Sequence, residues 1–168
     1  MRFNKLIPEL SVSDFEQSLK FYTKILGFNV EYKREESNFA FLSFQGSQLM
    51  IEQANERWST GKLEHPFGRG VNFQIEVKSI KPILKSLKDN NYPVFVEAKE
   101  NWYRQDNQLS GNNEFLVKDP DGYLLRFAED LGAKPIQNAF KAKSMCGYLG
   151  KMSREEILKG LRDKHDRF

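Results

Sequence analysis

One pattern occurs twice in this chain, and it limits the fold more than any single motif. At an offset of 65, Val12 superposes on Val77, and Phe15, Leu19 and Tyr22 fall on Ile80, Leu84 and Leu87. In both places a strand-like run leads into an apolar stripe at helical spacing, then back into strand-like sequence. Any two amphipathic helices can be slid into register. The shared order of strand, cap, helix and strand is what argues for a duplicated unit.

In the first copy, Leu6 to Val12 is a strand whose Pro8 pushes it toward an edge or a bulge. Ser13 and Glu16 form a capping box, and Gly27 stops the helix that follows. Three strands come next, Phe28 to Lys33, Asn38 to Phe44 and Gln48 to Gln53, the last two joined by Gln45-Gly46-Ser47. That is a βαβββ unit. Residues 54–69 lack periodicity and form a linker or cavity rim. The second copy runs from the strand Gly70 to Val77 through a helix capped by Ser79, in which Pro82 is confined to the first turn. Tyr92-Pro93 ends that helix, Val94 to Ala98 is a strand, and Glu100 to Gly111 is a polar-aromatic loop without strand character. A last hairpin brackets Asp119-Pro120-Asp121-Gly122, with Pro120 fixing φ and Gly122 free to take a positive one.

A length of 168 residues with 39% hydrophobic content allows one domain plus an appendage. The expected division is a domain over 1–132, with modules at about 5–53 and 70–131, and a tail over 133–168 whose short helix (153–165) starts at the Ser153–Glu156 box. Fourteen Phe, six Tyr and two Trp favour strands and a ligand cavity over a helical bundle. No apolar run approaches the ~20 residues of a membrane span, and the N-terminus has no secretory apolar region. The lone Cys146 excludes an internal disulfide, so the cytoplasm is the expected compartment. Residues 134–168 carry nine Lys/Arg against four Asp/Glu. No aromatic-and-basic stacking surface accompanies this charge, so the tail reads as a solvated helix or a partner-docking element, and neither nucleic acid nor membrane is an expected partner. Cys146 has no base in local context, and Gly68-Arg69-Gly70 is too short to cradle a phosphate.

The two βαβββ units, the run SVSDFEQSLKFYTKILGF and the closing DPDGYLLRF together resemble the vicinal oxygen chelate superfamily over residues 5–131. Glyoxalase I, extradiol dioxygenases, fosfomycin-resistance enzymes and bleomycin-resistance proteins belong to it, and this chain looks most like the bleomycin-resistance and glyoxalase-like branch. The resemblance implies an α+β fold of two tandem βαβββ modules, a curved mixed sheet around a cleft, and a homodimer. It also implies a place for a metal ion, at positions that fall here on Ile7, Glu52, Asn72 and Arg126, with Glu9 or Gln74 brought in by a register shift of two. An isoleucine cannot ligate and a guanidinium repels the ion, while His65 and His165 lie elsewhere, so no metal and no cofactor is expected.

If Glu52 and Arg126 meet, they form an ion pair in the cleft floor, either structural or orienting a polar ligand. Phe39, Phe41, Trp58, Trp102 and Tyr103 are the aromatic candidates for lining the cleft, with Asn72 beside them. Gly111 to Asn113 are small and polar where bleomycin-resistance proteins often carry an aromatic. The resulting expectation is a metal-free protein that sequesters a drug or other small organic ligand in a cleft at a dimer interface, as in antibiotic resistance. The alternative is a lactoylglutathione-lyase-like or dioxygenase-like enzyme. No catalytic residue is assigned, Glu52 being the one candidate general base.

Overall fold

The first module opens with strand β1 (Glu9–Val12). It is an edge strand pairing in parallel with β4 (Ser47–Gln53), and the Pro8 carbonyl just before it accepts from the Met50 N–H. Helix α1 (Phe15–Lys20) widens into a π-helical turn over Phe21–Ile25 and ends at Gly27, whose φ is +83°. Its cap is Asp14 and not Ser13: Asp14 Oδ1 accepts from the Gln17 N–H at 2.9 Å. Ser13 is engaged through its backbone, its N–H donating to Asp121 and its carbonyl accepting from Gln53. Strands β2 (Asn29–Arg34) and β3 (Phe39–Phe44) complete a four-stranded sheet in the order β1-β4-β3-β2. Positive φ at Gln45 and Gly46 lets β3 turn tightly into β4.

The linker is irregular, as its composition requires, and leads into β5 (Asn72–Val77) and helix α2 (Lys81–Asp89). Ser79 sits 3.4 Å from the Lys81 N–H, and the Ile80 N–H is taken by Glu129 Oε2 from a distant strand. The cap is therefore tertiary. Strands β6 (Val96–Gln105), β7 (Gln108–Lys118) and β8 (Leu124–Pro135) close a second sheet in the order β5-β8-β7-β6, again with the first strand parallel to the last.

The stretch Glu100 to Gly111, expected as a loop, is the arm of the β6–β7 hairpin, paired from Asn101–Asn112 out to Gln105–Gln108 with Asp106 at φ +53° in the turn. It is polar on both faces because both face solvent along most of its length, so no apolar alternation marks it. The computed structural model describes residues 2–55 and 57–136; the expected helix at 153–165 and Cys146 lie outside them. Residues 1–134 form one compact unit.

Both modules contribute to one core. Leu10, Val12, Ala40, Leu42, Leu49 and Ile51 of the first sheet join Ile75, Val77, Phe115, Val117, Leu125 and Phe127 of the second. The helices lie between: Phe21 packs on Tyr92 with centroids 4.7 Å apart, and Ser86 Oγ donates to the Ile25 carbonyl at 2.7 Å. Phe44 of β3 reaches Phe127 of β8 edge-on at 6.3 Å, so the sheets approach each other through their inner faces.

The DPDG turn fastens the modules together. Asp119 Oδ1 accepts from the Asp121 and Tyr123 N–H groups at 3.0 and 2.8 Å, and its Oδ2 from the Tyr22 hydroxyl at 3.0 Å. Asp121 Oδ2 caps the Ser13 N–H, while the Tyr123 hydroxyl donates to the Ser11 carbonyl. Gly122 has φ +93°, and a Cβ there would lie 2.5 Å from Pro66 of the linker, so only glycine fits. Burial, opposed by these hydrogen bonds, raises the Asp119 carboxyl to about 6, and burial together with the nearby aspartates raises Tyr123 to about 12.

Candidate functional site

Side chains alternate along a strand, so the residues between the core positions point away from the shared core. On the first module these are Glu9 and Ser11 of β1, Met50 and Glu52 of β4, and Phe39 and Phe41 of β3. Phe39 and Phe41 are almost fully buried, yet neither belongs to the central core. Tyr32 stacks on Phe41 at 5.2 Å, Phe3 meets it edge-on at 5.3 Å, and the Arg34 guanidinium lies 4.1 Å above Phe39. The outer face thus has an aromatic cluster of its own, roofed by a cation.

Beside it stand two carboxyls. Glu52 is 7% exposed and lies cross-strand from Phe39. The carboxyl beside it is Glu9, on the same face of the sheet, where the ladder pairs Glu9 with Met50 and Ser11 with Glu52. Burial first, and then the Glu52 carboxyl, push Glu9 above the usual carboxylate range, with Arg34 acting in the opposite sense. Glu9 also lines a cavity of about 460 Å³ with Ser11, Tyr123 and the linker residues Trp58, Lys62 and Leu63. Trp58 is 67% exposed at its edge.

The second module's outer face is built differently. Arg126 of β8 donates to Gln74 Oε1, its cross-strand neighbour on β5. Its Nη1 is 3.9 Å from Glu114 Oε2 of β7. Glu114 is 4% exposed, and its other oxygen accepts from Asn101 Nδ2 at 2.9 Å and from the Tyr103 hydroxyl at 2.5 Å. That hydrogen bond to Glu114 raises the Tyr103 phenol. Glu114 Oε2 and Arg126 Nε have no hydrogen-bond partner among the described residues.

Within one chain Glu52 and Arg126 do not pair: Glu52 lies beside Glu9, and Arg126 is held by Glu114 and Gln74. Asn72 is exposed, one pleat away from Gln74, in a groove of about 280 Å³ between the β1 and β5 edges. Tyr103 joins the second face. Trp102 does not: it lies over Gly111, where a Cβ would come within 2.5 Å of the indole, and under the Lys134 ammonium. The small residue at 111 is therefore the floor for Trp102. Two residues of these faces, Glu114 and Tyr32, escaped the sequence reading. Glu114 shares a hairpin face with Arg126 when counted back from the DPDG turn, a signal that was available.

The family's metal ion does not suit this donor set. Where ligands are implied stand Ile7, Asn72 and Arg126 with Glu52, and the residues that replace them in space add one carboxyl and one amide next to the guanidinium. Among the described residues, no three His, Cys, Asp or Glu side chains converge.

Two βαβββ modules around one core, each turning a polar and aromatic face outward, define the class of tandem-module cleft proteins. The family model of the Glyoxalase/Bleomycin resistance protein/Dioxygenase superfamily matches residues 4–127, and the chain belongs to that superfamily. It is 28% identical over 135 residues to a lactoylglutathione lyase of Haemophilus influenzae, covering 74% of this chain and 91% of that one. A bleomycin resistance protein of Geobacillus stearothermophilus is 25% identical over 139 residues, with 74% and 96% covered. Among solved structures, TioX from Micromonospora sp. ML1 shares the fold with a TM-score of 0.59 at 15% identity, over 76% of this chain and all of that one.

Proposed function

We propose that this protein is a metal-free, cytoplasmic, homodimeric binder of a small organic molecule, acting by sequestration as a bleomycin-resistance protein does. One observation carries the reading: each module turns a face bearing a buried carboxylate and aromatic or hydrogen-bonding side chains away from the shared core. Juxtaposing the first face of one copy with the second face of another makes a cleft with Phe39, Phe41, Glu52 and Trp58 on one wall and Tyr103, Arg126 and Asn72 on the other. Such a cleft offers stacking surfaces and a few fixed polar groups, which is what a flat, partly cationic ligand needs. Trp102 supports the wall from behind.

The lyase or dioxygenase alternative lacks a ligand set for the metal, and Arg126 stands where a ligand is implied. In a thermal-shift and denaturation assay, bleomycin at a hundred times its dissociation constant should add about 2.7 kcal/mol of stability. Light scattering should give a mass twice 19.6 kDa. A monomer that no drug of this type stabilises would contradict the proposal.

A further inference from the structure

On the second module's outer face, Glu114 has only 4% of its side chain exposed. Its Oε1 accepts from Asn101 and Tyr103, while its Oε2, closed off from water, has no hydrogen-bond partner among the described residues. A buried carboxylate oxygen normally has a donor. Arg126 Nη1 stands 3.9 Å from it, close enough to offset the charge and too far for a hydrogen bond. The guanidinium is tethered at one point: Nη2 donates to Gln74, and the buried Nε has no partner among the described residues. Arg126 is therefore the movable member, and its side chain, 28% exposed, is the way in from the outer face. Tyr103, 45% exposed, brings its ring to the same place while its hydroxyl holds Glu114.

The two groups carry opposite charges, and that decides what suits them. A cation would satisfy Glu114 and be repelled by Arg126, and an anion would do the reverse. One water bridging Nη1 and Oε2 through bonds of about 2.9 Å would be bent to about 85°, well inside the tetrahedral angle. A primary amide or a lactam carries an acceptor and a donor on one edge, about 2.3 Å apart. Two bonds of about 2.9 Å, each splayed by about 16°, carry that edge across the 3.9 Å gap. We propose that Glu114, Arg126 and Tyr103 form a subsite for a neutral carboxamide or lactam edge borne on a ring. The carbonyl accepts from Arg126 Nη1, the amide N–H donates to Glu114 Oε2, and the ring packs on Tyr103. The inference rests on the reading that the second module's outer face meets ligand, and it names the group that face selects. Asn101 keeps the other carboxylate oxygen fixed, so Glu114 holds its place as the guanidinium shifts.

Benzamide, benzoate and benzamidine share one shape and differ in charge and donor pattern, and calorimetric titration of the full chain at pH 7 ranks them. Benzamide should bind at least tenfold more tightly than either of the others. Glu114→Gln leaves two donors and a positive charge, so the order should invert in favour of benzoate. Arg126→Met leaves the acceptor and its negative charge, and should favour benzamidine instead. Tyr103→Ala should weaken benzamide several-fold and keep the order. Circular dichroism checks that each variant is folded, and the order in the unsubstituted chain decides where one is not. Equal affinities, a preference of the unsubstituted chain for either charged compound, or an order that neither charge variant alters overturns the proposal. So does a failure of benzamide to bind at millimolar concentration. Benzamide selectivity in a monomer that bleomycin does not stabilise removes the sequestration reading and keeps the subsite. A dimer stabilised by bleomycin, with no preference among the three compounds, does the reverse.

Discussion

The two modules share a topology but solve the placement of a buried carboxylate in opposite ways. Glu114 on the second face is held within the chain: Asn101 and Tyr103 donate to one oxygen, and Arg126 supplies a countercharge 3.9 Å from the other, which has no hydrogen-bond partner among the described residues. Glu52 on the first face is about equally buried and lies beside another acid, Glu9. Around it, aromatic rings replace the hydrogen-bonding side chains of the second face. The two sheets share one strand order and differ in what their outer positions carry. One face is a polar cluster of Glu114, Asn101, Tyr103 and Arg126, and the other an aromatic floor beside two carboxyls.

The comparison can be broken first at the aromatic floor. Phe41 is buried outside the central core between Tyr32 and Phe3. Truncation to alanine should cost about 3 kcal/mol in urea unfolding if this cluster is a packed unit. A loss below about 1 kcal/mol would mean that the face is surface with no core of its own.

The clasp between the modules should show itself in pH dependence. Asp119 has a folded value of about 6 against an ordinary 3.8, so the folded state holds the proton more tightly than the unfolded chain does. This stabilisation is complete below about pH 4 and is lost as pH rises through 6, a change of about 3 kcal/mol. Asp119→Asn should remove most of that pH dependence, measured as unfolding free energy at pH 4 and pH 7. An undiminished dependence would place its origin elsewhere.

The carboxylates themselves give the smaller and sharper contrast. Glu114→Gln should cost about 2 kcal/mol at pH 7, because it leaves the partly buried Arg126 without its countercharge. Glu52→Gln should be neutral or slightly stabilising, since it relieves a like-charge contact. Equal losses from the two would erase the distinction between the faces.

Much of the fold was legible because local signals agreed with the tertiary structure. The repeat at offset 65, Pro82 in the first turn of α2, the Gln45-Gly46 turn and the DPDG hairpin each have a local cause, and each appears where expected. Where the deciding partner is remote, the sequence was silent. Ser13 lost the cap to Asp14 because Asp121 and Gln53, far along the chain, claim its backbone. The β6–β7 arm was missed because a ribbon wetted on both faces carries no apolar alternation. The outer faces were legible only in part. Counting from Val12 points to Ile7, whereas the ladder starts at Glu9, and the carboxylate that holds Arg126 sits in the polar run GNNEF, marked only by its register with Arg126 across the DPDG turn.

In the proposed dimer the two faces meet across subunits to form one cleft. Cross-linking tests it without a ligand: Glu52→Cys and Arg126→Cys are combined in a Cys146→Ser background and treated with a short bismaleimide. Within one chain the two positions lie on outward faces of different sheets, so the account predicts a covalent dimer on a denaturing gel, absent from either single-cysteine control. A product that stays monomeric, with the two cysteines bridged inside one chain or left unbridged, would contradict it.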